Sequence, residues 1–435
     1  MQKKPLNVLF IAVDDLRPEL GCYGKQHIHS PNIDQLANSG TLFQNSYCNI
    51  PVCGASRASL LTGLRPTLTR FKTYTSRADE EAPGIIAIPG LFKQAGYTTI
   101  SNGKIFHNAK DHETDWDEIW RAPAKSPRDF VTAANIQLDS AQATRGHSFE
   151  MTSTPDTSYR DGKMTLKAIE DLKRLKQGNE PFFLAVGYLK PHLPFNAPKK
   201  YWDLYDRESI TLPANKERPT DVPSQALHSF GELRHYTGVP KEGQVSDSLA
   251  KTLIHGYYAC VSYTDALIGQ LLDALQDLDM HENTIVILWG DHGWNLMEHG
   301  LWCKHCNYRT SLKAPIILRV PGYPSKNVRK EMVEFVDIYP TLAEACGLDK
   351  PTHLDGTSLI PLLGNEEVPW KNRVESVWHN GFTYTTATHA YTRWVTDRDS
   401  VMAEMLFDHA VDPEENQNII IDQKAMPIVQ TIFEK

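Results

Sequence analysis

The sequence predicts an α/β domain built on a mostly parallel sheet, followed by a smaller C-terminal α+β subdomain. Five apolar runs have the length and composition of buried strands: 7–13, 98–106, 181–189, 284–289 and 315–320. Several are apolar without alternation, as in strands that helices cover on both faces. Helical patterns lie between them, including 31–39, which ends at Gly40, and 257–278. Strands that alternate with helices favour a parallel sheet.

The length of the chain and the change in composition along it predict the domain organisation. A chain of 435 residues exceeds one ordinary core, so we expect a catalytic domain over 1–335 and a subdomain over 336–435. Two polar stretches rich in Pro, Thr and Asp, at about 107–160 and 194–250, interrupt the strand–helix pattern. Long loops of this kind over a rigid sheet often shape a substrate site.

The composition excludes several classes of protein. A net charge of −8 without a Lys/Arg block argues against a nucleic-acid partner, and an anionic ligand would need a local basic pocket. No apolar run approaches the roughly 20 residues that span a membrane. The opening MQKKPLNVLFIAVDD runs directly into two aspartates without a small-residue cleavage site. We therefore expect it to form the first strand, with any signal peptide absent from this chain.

Seven cysteines are too few for a disulfide scaffold of this length. The pair Cys303-Lys-His-Cys306 has the spacing of a redox motif but no thioredoxin-like strand–helix entry. We expect this pair to be structural, or at most a local disulfide.

Two acidic pairs follow predicted strands and indicate a metal site. Asp14 and Asp15 end the first strand, and Asp291 and His292 follow the strand at 284–289. Because ligands bind at the carboxyl ends of strands in α/β sheets, these side chains could converge. Oxygen-rich ligands favour Ca²⁺ or Mg²⁺. The alternative is that Asp14 and Asp15 merely cap a turn or helix.

Cys53 would precede a short helix, whose N-terminal N–H groups favour an anion. Arg57 would lie one turn later on the same face. A cysteine among small residues is, taken alone, more often a buried structural thiol.

Other segments of the chain favour a catalytic Cys53 over a structural thiol, because together they resemble the type I sulfatase family. The matching segments, in order, are VDDLRP (13–18), CGASR with LLTG (53–63), GKIFH (103–107), KPHLPF (190–195), VSYTD (261–265), GDHGW (290–294), EHGLWCK (298–304) and DPEEN (412–416). Within the family the chain is most similar to iduronate-2-sulfatases and their bacterial relatives. The resemblance implies an alkaline-phosphatase-like fold with a large central sheet.

The resemblance also implies the chemistry. Cys53 would be oxidised to formylglycine, whose hydrated aldehyde attacks sulfur with one hydroxyl and expels sulfate with the other. A Ca²⁺ ion, or Mg²⁺, would act as Lewis acid. The implied metal ligands are Asp14, Asp15, Asp291, His292 and modified Cys53. The implied catalytic residues are Arg57, which holds the nucleophile, Lys104 and His107, which contact it, and His192 and Lys304, which grip the sulfate. His192 is the candidate general acid, and Trp294, Trp302 and His299 are expected to contact the sugar.

One position departs from the family pattern. Ala55 stands where the signature usually has proline. The oxygen-dependent formylglycine-generating maturase prefers proline there, whereas anaerobic radical-SAM maturases accept alanine. The sequence therefore predicts an anaerobic maturase as a partner.

The resemblance predicts a sulfated carbohydrate as the substrate, for example a 2-sulfated uronate, and a periplasmic or secreted location in a bacterium. Three other functions stay open. One is a phosphatase, phosphodiesterase or phosphonate monoester hydrolase of the alkaline-phosphatase superfamily. The second is a non-catalytic glycan-binding relative. The third is a Cys–His hydrolase using unmodified Cys53, which leaves the three aspartates unexplained.

Overall fold

The fold was taken from a computed structural model, which describes residues 5–140, 145–364, 367–423 and 425–433. The strands of these residues are β1 (Asn7–Val13), β2 (Thr41–Tyr47), β3 (Thr98–Gly103), β4 (Glu118–Trp120), β5 (Arg145–His147), β6 (Phe149–Thr152), β7 (Phe182–Tyr188), β8 (Phe195–Pro198), β9 (Tyr236–Thr237), β10 (Thr284–Gly290), β11 (Asn295–Leu296), β12 (Trp302–Cys303), β13 (Ile316–Arg319), β14 (Asn327–Glu334), β15 (Arg373–Trp378), β16 (Gly381–Thr386), β17 (His389–Val395) and β18 (Val401–Asp408).

The α-helices are α1 (Pro31–Ser39), α2 (Cys53–Thr62), α3 (Ala78–Glu81), α4 (Ile88–Gln94), α5 (Ala133–Ser140), α6 (Arg160–Lys176), α7 (Lys199–Trp202), α8 (Gly231–Arg234), α9 (Asp247–Asp277), α10 (Arg309–Leu312), α11 (Ile338–Ala345) and α12 (Ala425–Phe433). The predicted helix at 257–278 is the second half of α9, which continues for 31 residues.

The central sheet has eight strands in the order β14-β2-β13-β10-β1-β7-β3-β4. The block β10-β1-β7-β3-β4 is parallel throughout. Strand β13 runs antiparallel to both of its neighbours, and β14 is parallel to β2. Seven strands therefore point the same way, which confirms the mostly parallel α/β sheet. The reversed direction of β13 was not predicted, since an apolar run carries no signal of its direction.

Side chains alternate between two apolar layers across the sheet. In β1, Leu9 and Ile11 face one cluster and Val8 and Phe10 the other, all at 0% exposure. Helices α1, α6 and α9 contribute to the first cluster, and α2, α4 and α11 to the second. Burial on both faces explains why these strands read as continuous apolar runs.

The two polar stretches predicted as surface insertions are joined to each other and to the sheet. Strand β4 of the first insertion forms the edge of the central sheet beside β3. The parallel pairs β5–β9 and β6–β8 then connect the first insertion to the second. Backbone hydrogen bonds therefore fix the two insertions to each other and to the central sheet.

The C-terminal segment forms an antiparallel sheet in the order β15-β16-β17-β18, against which α12 packs. The predicted boundary at 335/336 stays a prediction. Helix α11 lies just beyond that boundary and packs in the second apolar cluster of the central sheet.

All seven cysteines, each among the described residues, are free thiols, so Cys303 and Cys306 form no disulfide. Both are buried, and Cys306 Sγ lies 3.0 Å from Ser311 Oγ. The structural role of this pair stays a prediction. Across the described ranges, no helix combines the length and apolarity required to span a bilayer.

Asp265 of the VSYTD segment ties α9 to the start of α1. Its carboxylate accepts hydrogen bonds from the backbone N–H groups of Asn32 (3.1 Å) and Ile33 (2.8 Å) and from Asn32 Nδ2 (2.7 Å). The first-turn N–H groups of a helix have no partner within it, so Asp265 caps α1 from another element.

We expect Asp265→Ala to lower the free energy of unfolding by about 2–4 kcal/mol, because two buried N–H groups lose their acceptor. The measurement is the urea midpoint together with the Tm. Asp273→Ala, an exposed carboxylate of the same helix, is the matched control and should change neither. Equal stability of the two variants would contradict the capping role.

Candidate active site

The carboxyl ends of adjacent strands bring the predicted residues together. Because β1, β3, β7 and β10 are parallel neighbours, the segments that follow them meet at one edge of the sheet. The residues that follow each strand are Asp14 and Asp15 after β1, Lys104 and His107 after β3, His192 after β7, and Asp291 and His292 after β10. Helix α2, which begins at Cys53, follows β2 at the same edge.

Three carboxylates form the centre of this cluster. One oxygen from each of Asp14, Asp15 and Asp291 lies within 4.8 Å of the others, and all three residues are 0–1% exposed. Asp15 has a left-handed backbone with φ of 59°. Its N–H donates to Asp291 Oδ1 (2.9 Å), and its carbonyl accepts from the hydroxyl of Tyr257 (2.9 Å). The unusual backbone is therefore held from both sides.

His292 completes a donor set that fits a hard divalent cation. Its Nδ1 donates to the carbonyl of Gly293 (2.9 Å), so the other ring nitrogen, Nε2, faces the carboxylates. Nε2 lies 3.3 Å from Asp15 Oδ1 and 3.7 Å from Asp291 Oδ1. Three buried carboxylates and one imidazole are suited to Ca²⁺ or Mg²⁺. The alternative that Asp14 and Asp15 only cap a turn does not explain this convergence.

Arg57 holds two of the carboxylates from α2. Its Nε donates to Asp291 (2.9 Å), and its terminal nitrogens contact Asp14 (3.2 Å) and the carbonyls of Lys104 and Ile105. The guanidinium is fully buried and lies 5.4 Å from the ring centre of Trp289. The planar guanidinium has five N–H donors, which suit these carboxylate and carbonyl acceptors.

Neighbouring cations set the charge of the carboxylates. Burial alone would raise the pKa of Asp14, but Lys104, at 2.6 Å, and Arg57 hold that pKa well below its ordinary value. Burial raises the pKa of Asp15, and the charges of His192 and Lys304 offset the rise only in part. The charge of Asp14 is therefore balanced at short range by two cations.

Cys53 is the first residue of α2 and lies against the predicted ligands. Its Sγ is 3.3 Å from His292 Nε2 and 3.8 Å from Asp15 Oδ1. Burial raises the pKa of this thiol well above its ordinary value. Gly54 is required beside it, because a Cβ there would lie 2.1 Å from the carbonyl of Tyr74. The thiol thus lies against the side chains that could hold a cation.

His192 and Lys304 lie on the other side of the carboxylate cluster. Lys304 Nζ lies 3.2 Å from Asp15 Oδ2 and 2.9 Å from Glu232 Oε2. His192 Nδ1 donates to the carbonyl of Leu193 (2.6 Å), while its Nε2 faces Glu232 Oε1 (3.0 Å). A nitrogen of His192 and Cys53 Sγ belong to one group of ligand atoms within 4.8 Å of one another. The structure therefore brings His192 close to Cys53.

His107 lies next to Lys104, and its buried Nδ1 has no hydrogen-bond partner among the described residues. Burial and the charge of Lys104 lower the pKa of His107 to about 3. Beside this pair is a cavity of about 190 Å³ lined by Arg121 and Arg160. Among the described side chains and backbone, Arg121 hydrogen-bonds Ser101 and a carbonyl but no carboxylate. The carboxylate of Asp161 also lines this recess, but the cations Lys104, Arg121 and Arg160 outnumber it.

The structure does not support the predicted sugar contacts of Trp294, Trp302 and His299. Their exposures are 0%, 1% and 1%, so none offers a free face to a sugar. Trp294 instead lies beneath Lys304, with Nζ 4.9 Å from its ring centre. His299 bonds the carbonyl of Glu414 through Nε2 (2.8 Å). The sequence indicates that these residues lie near the site. It does not show whether their rings line the site or are packed inside the protein.

Glu232 was missed by sequence reasoning. It lies on the one-turn helix α8 of the second insertion, and no motif marks it. Tyr257, Ser56 and Trp289 were also missed, although all three contact predicted residues. Ser56 lies inside, and Trp289 directly beside, a segment that resembles the family, and this position was the available signal for both.

Comparisons with known proteins agree with this geometry. The sulfatase family profile matches residues 6–348, and the profile of the C-terminal region of N-sulphoglucosamine sulphohydrolase matches 297–435. Human iduronate 2-sulfatase is 36% identical over 389 residues, which cover 80% of this chain and 70% of that protein. A sulfatase of Formosa agariphila is 32% identical over 426 residues, covering 94% of this chain and 82% of that protein.

Solved structures share the fold at lower identity. One, in complex with its substrate D-glucosamine-2-N,6-O-disulfate, has a TM-score of 0.78 at 21% identity, covering 99% of this chain and 96% of its own. A phosphonate monoester hydrolase from Silicibacter pomeroyi has a TM-score of 0.80 at 21% identity, covering 98% and 93%. The alkaline-phosphatase-like fold is thereby confirmed. On the family match over residues 6–348 and the identity to full-length relatives, the chain belongs to the sulfatase family and is a sulfuric ester hydrolase.

Proposed function

We propose that the protein hydrolyses a sulfate ester on a carbohydrate, using formylglycine made from Cys53 and a bound Ca²⁺ ion. The observation that carries the proposal is the position of Cys53 Sγ, 3.3 Å from His292 Nε2 and beside three buried carboxylates. A thiol nucleophile would require no such carboxylates, whereas a nucleophile that works next to a cation would. The non-catalytic alternative leaves this costly burial of charge without a purpose.

Asp14, Asp15, Asp291 and His292 would hold the cation, which when bound supplies Lewis acidity toward a sulfate oxygen. Formylglycine would supply a nucleophilic hydroxyl in place of the protonated thiol. Arg57 keeps Asp14 and Asp291 in place as ligands. Lys104 and His107 border the nucleophile on one side.

His192 and Lys304 border the nucleophile on the other side and would face the sulfate. Lys304 supplies positive charge to the sulfate oxygens, and His192 Nε2 is the atom from which a proton would pass to the leaving oxygen. The cations Lys104, Lys304 and Arg57 would attract an anionic ester despite the net charge of −8.

The proposed substrate class is a sulfated acidic sugar, such as a 2-sulfated uronate. Relatives named iduronate 2-sulfatase support a carbohydrate ester. The cationic recess of Arg121 and Arg160 beside Lys104 is suited to a second anionic group of the same sugar. We further propose that the protein acts in the periplasm or outside the cell of a bacterium.

The phosphonate monoester hydrolase fold is as similar to this chain as that of the sugar-sulfate complex, so the fold does not separate the two activities. A comparison of sulfate, phosphate and phosphonate esters therefore belongs in the first assay.

We expect the matured enzyme to release sulfate from at least one member of a panel of defined glycosaminoglycan and ulvan oligosaccharides, measured by mass. Cys53→Ala should lower the rate by at least about a thousandfold, because the nucleophile is lost. Cys346→Ala, a half-buried cysteine far from the site in sequence, is the control and should leave the rate unchanged. Preferred hydrolysis of the phosphonate ester would overturn the proposed reaction.

We expect removal of divalent cations by a chelator to abolish activity and lower the Tm, and Ca²⁺ to restore both. Binding at a hundredfold excess over Kd stabilises a fold by about 2.7 kcal/mol. Asp15→Asn should remove the Ca²⁺-dependent rise in Tm, because the cation loses a charged ligand. Asp277→Asn, on the exposed end of α9, should keep it. A chelated wild type with full activity would exclude the cation.

We expect the anaerobic radical-SAM maturase to convert Cys53 to formylglycine on co-expression, because Ala55 replaces the usual proline. The measurement is mass spectrometry of the Cys53 peptide after co-expression with each maturase. Ala55→Pro should raise conversion by the oxygen-dependent enzyme. Efficient conversion of the native sequence by the oxygen-dependent enzyme alone would contradict the prediction.

A further inference from the structure

Glu232 is the acidic residue that the second insertion brings into the catalytic centre. Its Oε1 lies 3.0 Å from His192 Nε2 and 3.1 Å from Lys304 Nζ, and its Oε2 lies 2.9 Å from Lys304 Nζ. Among the described residues, the only other carboxylate in contact with these two side chains is that of Asp15. Glu232 therefore joins the two side chains that would face the sulfate.

The backbone of Glu232 is fixed rather than free to swing. It stands between Phe230 and Leu233, which are 5% and 1% exposed and pack in the first apolar cluster. Arg234 fastens the end of the same turn by donating to the carbonyls of Pro240 and Gly243, both at 2.7 Å. A residue anchored in this way can hold its partners in one geometry.

The alternative is that Glu232 occupies the place of a sulfate oxygen and leaves when substrate binds. The packing of Phe230 and Leu233 fixes the backbone that carries Glu232, so such a movement would have to be a rotation of the side chain alone. The three N–H groups of Lys304 point to Asp15 Oδ1, Asp15 Oδ2 and Glu232 Oε1. An incoming sulfate would share these N–H groups with Asp15 and Glu232, and the leaving oxygen would share the single Nε2–H of His192 with Glu232.

We propose that Glu232 is a positioning residue, which holds His192 Nε2 and Lys304 Nζ in the geometry that sulfate-ester cleavage requires. The inference rests on the proposed function, because it assigns His192 and Lys304 to the leaving-group side. Without the carboxylate, His192 Nε2 has only Asp15 Oδ2, at 3.7 Å, as a nearby acceptor. The imidazole would then turn toward a proposed metal ligand and away from the leaving oxygen.

The test compares Glu232→Gln with wild type on the sulfated oligosaccharide that wild type hydrolyses in the panel. We expect kcat to fall about tenfold to a hundredfold, as for other residues that orient a catalytic histidine, with KM within about threefold. In a His192→Gln background the same change should lower kcat by less than about threefold. The effects of two substitutions are not additive when one residue acts through the other. Glu232→Asp should restore part of the lost kcat.

The control is Glu217→Gln, an exposed glutamate of the same insertion with no described ion pair, which should leave kcat and KM unchanged. Formylglycine content and Tm are measured for each variant, so that a loss of maturation or folding is separated from a loss of positioning. Additive losses in the double variant, an unchanged kcat, or a higher kcat/KM for Glu232→Gln would overturn the inference. A wild type inactive on every sulfate ester would overturn the proposed function together with it.

Discussion

The burial of three carboxylates at one point is the constraint on which the rest of the site depends. Asp14, Asp15 and Asp291 are 0–1% exposed and close enough to share one ion. Such charges are costly to bury unless they are paired. The cations that surround them are Arg57, Lys104 and Lys304, each also fixed by further contacts. The same cations that permit the burial would attract a sulfate ester.

Different layers of the fold supply different parts of this arrangement. The parallel strands position the carboxylates, and helix α2 positions Cys53 and Arg57. The loop that carries Lys304 is supported by the C-terminal sheet, where Asn307 donates to the carbonyl of Gly381 (3.1 Å) and to Thr383 Oγ1 (3.0 Å). The second insertion adds Glu232. The C-terminal sheet thus stabilises the site from outside the central domain.

Much of the site was predictable because its residues follow strands or stand in recognisable segments. The positions of Asp14, Asp15, Asp291 and His292 needed only the rule that parallel strands end at one edge. The prediction failed for Trp294 and Trp302, because a sequence does not reveal whether a ring near a site lies beneath it or lines it. Glu232 was missed because its partners are 40 and 72 residues away in the chain.

The sequence by itself determined the α/β class, the strands that carry the carboxylates, the place of Cys53 at the start of a helix and the sulfatase family. These depend on local apolar runs and on short segments whose residues are adjacent in the chain. The tertiary structure decided the reversed strand β13, the joining of the two insertions, the burial of the tryptophans and the contact of Glu232 with His192 and Lys304. Those features arise from packing between distant segments, for which no local pattern exists.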